Sequence, residues 1–111
     1  MFLIVSKYLI PKGYRGMTVF PFVILRERKD AVLPVLMNHE RIHIRQQLEL
    51  LIVPFFVWYL MEYLFRLAQY RNRFQAYRNI SFEREAYANE SDPNYLKHRK
   101  IFAFLKFTRT F

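Results

Sequence analysis

The sequence predicts a single α+β domain over residues 1–111, with a small antiparallel sheet near the N-terminus packed on three or four helices. Three observations lead there. Residues 2–26 are rich in β-branched and aromatic side chains and are punctuated by turn residues. From Pro34 onward, apolar positions recur at helical spacing. A chain of 111 residues supports one core and leaves no room for a separate substrate domain.

Residues 2–10 are apolar and β-rich and end at the turn signal Pro11-Lys12-Gly13. Gly13 and Gly16 bracket Tyr14-Arg15, and residues 17–26 form the next β-rich run. Pro21 lies inside that run and has no backbone donor, which predicts an edge strand or a bulge. Glu27 to Asp30 make a charged connection. Pro34, a favourable first-turn residue, opens a helix that runs to about Ile52. Residues 50–67 are apolar enough to invite a membrane-spanning reading. Glu62 argues against it, because a charge near mid-membrane costs about 2.5–3.5 kcal/mol. A buried or membrane-surface helix is expected instead, separated from the preceding one at Pro54. Arg71, Arg73 and Arg78 follow among aromatics. Ser81 is the expected N-cap of a further helix through Glu90, which Ser91-Asp92-Pro93-Asn94 terminates. The basic, aromatic tail from Tyr95 to Phe111 supports a last helix.

The chain has no cysteine, which excludes disulfide frameworks and thiolate metal sites. Hydrophobic content is 53%, and the formal charge of +9 favours an anionic partner. The opening residues lack the length and cleavage site of a signal peptide, so the expected location is cytoplasmic or peripheral to the cytoplasmic membrane. From Arg66 to Phe111, ten Lys/Arg face four Asp/Glu. No nucleic-acid motif accompanies them. Beside an apolar helix they fit an anionic membrane surface, met through residues 50–78, better than nucleic acid. A non-catalytic basic module of either kind is the alternative to an enzyme.

The chemistry is concentrated in His39-Glu40-Arg41-Ile42-His43, an H-E-x-x-H segment inside the first helix. Two imidazoles four residues apart reach one Zn²⁺, and Glu40 stands where its carboxylate can take a proton from water beside the metal. A third ligand must come from elsewhere. His98 lies among Lys97, Arg99 and Lys100, whose charges oppose a nearby cation. Glu83 and Glu85 begin a later helix. Glu85 is the expected ligand, because Ala86 and Ala88 allow close helix approach and Asn89 could orient a histidine. Glu83 is the alternative, and its position in the first turn also suits the helix dipole. Gln46 and Gln47 share the helical face of His43, as outer-shell groups or as an exposed polar face. Trp58 with its aromatic neighbours is expected in the core.

His-Glu-Arg-Ile-His followed by Glu-Ala-Tyr-Ala-Asn resembles the gluzincin metallopeptidases, whose third ligand is a Glu on a later helix, often within E-x-x-A-D. Asn89 stands where that pattern has Asp; Glu83 with Ala86 and Tyr87 fits a second alignment. The short length looks like a minimal gluzincin, a minigluzincin. The chain from about Lys12 to Leu105 also looks like a family of small uncharacterised bacterial proteins. The gluzincin likeness implies a zincin-like minimal domain in which His39, His43 and Glu85 hold Zn²⁺ and Glu40 is the general base for hydrolysis of a peptide or protein substrate. It also implies that residues 17–26 form an edge strand beside the cleft, able to pair with an extended peptide. Zinc bound without turnover is a further possibility for so short a chain.

Overall fold

A computed structural model describes residues 2–108. The α+β expectation holds, with three strands and five α-helices among the described residues. Strands β1 (Phe2–Val5), β2 (Gly16–Val19) and β3 (Phe22–Leu25) form a sheet in the order β1-β3-β2. The sheet is mixed rather than antiparallel: β2 pairs antiparallel with β3, but β1 runs parallel to it, Phe2 opposite Phe22 and Val5 opposite Leu25. The expected single run over residues 17–26 is a hairpin. Pro21 sits in its two-residue turn, where its missing donor removes no ladder bond. β3 shows the period of two expected of a strand covered on one face: Val23 and Leu25 are buried against Met37.

Helix α1 (Pro34–Glu49) starts at its proline, as expected, and lies beside β2. The chain then reverses through Leu51 and Ile52, both at positive φ, into α2 (Val53–Tyr70), which has Pro54 in its first turn. The bend between the two helices is 113°, and no single helix among the described residues is long and apolar enough to cross a membrane. Helix α3 (Arg73–Arg78) is capped by the Asn72 side chain. Helix α4 (Ser81–Asn89) has Ile80 as its N-cap rather than the expected Ser81. The Glu62 carboxylate of α2 reaches across to accept both the Ser81 N–H and its hydroxyl, each at 2.6 Å. The tail holds a short helix α5 (Tyr95–His98) and a 3-10 turn at Ala103–Phe107.

Two buried clusters fix α4, the element that completes the site. Phe82 stacks among Phe55, Ile80 and Phe104, with Trp58 against Phe82 and Phe104. Ala86 packs on Ile42 of α1 and on Tyr95. Its small side chain lets α4 approach the H-E-x-x-H turn closely, and both Ala86 and Ile42 are fully buried.

Candidate metal centre

His39 and His43 project from consecutive turns of α1 and meet Glu83 from α4. The Nε2 atoms lie 3.2 Å apart, and Glu83 Oε1 is 3.1 Å from that of His39 and 3.0 Å from that of His43. All three side chains are buried, and this is the metal-capable group among the described residues. Ligand atoms about 2.0–2.1 Å from one tetrahedral ion stand roughly 3.3–3.4 Å apart, so the triangle fits to within a few tenths of an ångström.

The outer hydrogen bonds decide what the three atoms are. The Gln46 amide nitrogen donates to Phe82 O and Glu85 Oε1, so its oxygen faces His43 Nδ1 at 2.8 Å. That nitrogen must therefore carry a proton. His39 Nδ1 likewise faces the Glu90 carboxylate at 3.0 Å and donates to it. In the neutral rings both Nε2 atoms then present lone pairs, and so does Glu83 Oε1. Three acceptors converge with no donor among them, an arrangement that only a cation or bound protons can satisfy. Burial opposes charge on His43, but the Glu83 carboxylate beside it outweighs this and pushes its pKa up to about 9. Burial would raise the Glu83 pKa; the His43 and His39 rings reverse that and hold it well below the carboxylate range. Glu83 Oε2 accepts the Tyr59 hydroxyl at 2.8 Å, which leaves Oε1 as the single oxygen aimed at the histidines.

Glu85, the expected third ligand, is not part of this group. Positions two apart on a helix differ by about 200° in direction, so Glu85 faces away from Glu83. It lies fully buried between the Arg99 guanidinium, the Tyr95 hydroxyl at 2.6 Å and the Gln46 amide. Arg99 in turn grips Glu49 at 2.7 and 3.1 Å. Glu85 thus acts on the centre through Gln46, which it helps to orient. Asn89 does not touch either histidine; its side chain donates to Glu85 O. His98 stands apart, exposed and paired with Asp92.

Glu40 is buried between the histidines and the edge strand. Thr18 Oγ1 of β2 donates to its Oε2, and Gly16 lies so close that a Cβ there would be 3.2 Å from its Oε1. Burial raises the Glu40 pKa, against the lowering effect of both histidines and the Thr18 hydrogen bond. Gln47, unlike Gln46, turns to the sheet: it donates to Thr18 O at 2.6 Å and accepts the Phe20 N–H at 2.7 Å. Tyr87 packs edge-on against His39, 4.4 Å between ring centres, and its hydroxyl meets that of Tyr77 at 3.0 Å.

The centre opens into a cleft of about 640 Å³ whose walls are largely apolar, including Met17, Phe55, Phe56, Leu60 and Tyr63. Reading the sequence alone missed Thr18, Tyr59 and Glu90. Of these only Glu90 carried a signal, since it lies seven residues, or about two turns, beyond Glu83 on the same helical face. Among known proteins, no family model, no curated protein and no solved structure matches the chain.

Proposed function

We propose that this chain is a zinc-dependent peptidase of minimal gluzincin type, with His39, His43 and Glu83 as the metal ligands and Glu40 as the general base. The observation that carries the reading is the convergence of three metal-capable atoms within 3.0–3.2 Å of one another in a buried site. Two imidazoles and one carboxylate, with no thiolate, form a donor set suited to zinc with an open coordination position. Zn²⁺ bound there supplies Lewis acidity, which activates water near neutral pH and polarises a carbonyl oxygen.

The remaining chemistry belongs to the chain. Glu40 takes a proton from the attacking water and delivers it to the departing amine nitrogen. Its elevated pKa, caused first by burial, brings it closer to neutral pH and suits both halves of that transfer. Thr18 holds one Glu40 oxygen, and Glu40 lines the cleft beside both histidines. Tyr59, Glu90 and Gln46 fix the ligands before any ion arrives. The apolar cleft favours a substrate with bulky apolar side chains. Gln47 already engages Thr18 O and the Phe20 N–H, so pairing of an extended peptide along β2 is left to its Gly16 end.

Cleavage of apolar-rich peptides, followed by mass spectrometry, tests the reading. Wild-type protein is expected to cut some of them, and Glu40→Gln to retain zinc while losing turnover. Full activity in Glu40→Gln, or in metal-free protein, would overturn it.

A further inference from the structure

Helix α2 is turned inside out for a helix on the surface of a protein. Val53, Val57, Leu60, Met61, Leu64 and Phe65 are each more than half exposed. They recur at the three- and four-residue spacing of one helical face. The charged residues of the same helix, Glu62 and Arg66, point inward: Glu62 binds Ser81, and Arg66 lies fully buried beside it at 3.5 Å. No exposed position on α2 is charged. A groove of about 730 Å³ runs along this face, bordered by Val57, Met61, Phe65 and Thr108. The C-terminal segment that reaches the groove at Thr108 carries exposed Ile101 and Leu105 together with exposed Lys100 and Lys106. Exposed Arg71 and Arg73 stand just past the end of the helix.

We propose that the outer face of α2 docks the protein on the surface of an anionic lipid bilayer, its apolar side chains entering the acyl boundary while the flanking Lys and Arg meet the headgroups. An uncharged apolar face accompanied by exposed cations is the pattern by which a helix lies in a membrane interface. The net charge of +9 favours this occupant over a second copy of the chain, since two chains that each carry that charge repel. The docking stands without the metal centre. Its consequence for substrate rests on the peptidase reading: Leu60 lies both on the exposed face and in the wall of the cleft, so the cleft meets apolar polypeptide at the bilayer surface.

Vesicle flotation tests it, with phosphatidylglycerol–phosphatidylcholine and pure phosphatidylcholine vesicles, at low and high salt, with and without a chelator. Wild-type protein is expected to float with the anionic vesicles only, to release as salt rises, and to ignore the chelator. Met61→Glu and Leu64→Glu, at exposed positions that leave the core intact, should each weaken binding at least tenfold while keeping the wild-type melting temperature and circular dichroism. Arg71→Gln combined with Arg73→Gln should weaken it independently of the apolar face. Failure to bind anionic vesicles, equal binding to neutral ones, loss on chelation, or binding undiminished in the glutamate variants would each overturn the docking. So would a stable dimer that Leu64→Glu converts to monomer.

Discussion

Replacing Glu90 separates the outer hydrogen bond of His39 from everything else in the site. Its carboxylate fixes the His39 ring through Nδ1 at 3.0 Å and is only partly buried, 22% exposed. It is neither a ligand nor part of an apolar cluster, so its removal tests the outer hydrogen bond together with its charge, which Glu90→Gln separates. Outer-shell partners of this kind change metal affinity by about 10–100-fold, or about 1.4–2.7 kcal/mol. Glu90→Ala should therefore raise the zinc Kd by that factor, measured by competition with a chromophoric chelator. The metal-free fold should lose only about 0.5–1.5 kcal/mol, the worth of one hydrogen bond. Glu90→Gln keeps an acceptor in place and should fall within a few-fold of wild type. An unchanged zinc Kd in Glu90→Ala would refute the claim that His39 is held with its Nε2 lone pair toward the metal.

Glu85→Ala breaks a buried ion pair with Arg99 and should destabilise the fold by about 3 kcal/mol, the low end of the usual range because Glu49 still holds the guanidinium. Thermal melting that shows no loss would remove Glu85 from its supporting role. Gly16→Ala places a Cβ 3.0 Å from Ile24 O and 3.2 Å from Glu40 Oε1, so kcat should fall at unchanged zinc content, with about 1–3 kcal/mol of strain. Turnover equal to wild type would show that β2 does not set the position of Glu40. Thr18→Val removes a hydrogen bond that lowers the Glu40 pKa, and the proposed base works as the ionised carboxylate. The acidic limb of the rate–pH profile should therefore move to higher pH; a limb that stays in place or moves down contradicts the assignment of Glu40 as base.

The parts of the molecule written in local signals were legible from the chain. Pro34, Pro54 and the break after Glu90 mark helix ends by their own backbone chemistry, and the H-E-x-x-H spacing places two imidazoles together on any helix. What depended on distant partners was not. The parallel pairing of β1 with β3 joins strands separated by a whole hairpin, and no residue in either strand announces it. Ser81 resembled an N-cap, yet its partner is Glu62 on another helix. Glu83 and Glu85 differ only in which way α4 turns, which tertiary packing decides. One clue was present: Ala86, three residues after Glu83, shares its face, and a small residue there marks the side that approaches α1. The first-turn position of Glu83, which suits the helix dipole for reasons unrelated to metal, obscured it.

Zinc content measured on purified wild type, Glu83→Ala and Glu85→Ala bears most directly on the three-ligand centre. One ion per chain in wild type and in folded Glu85→Ala, with none in Glu83→Ala, is the expected result. Zinc retained without Glu83, or wild-type protein that takes up none, would contradict it.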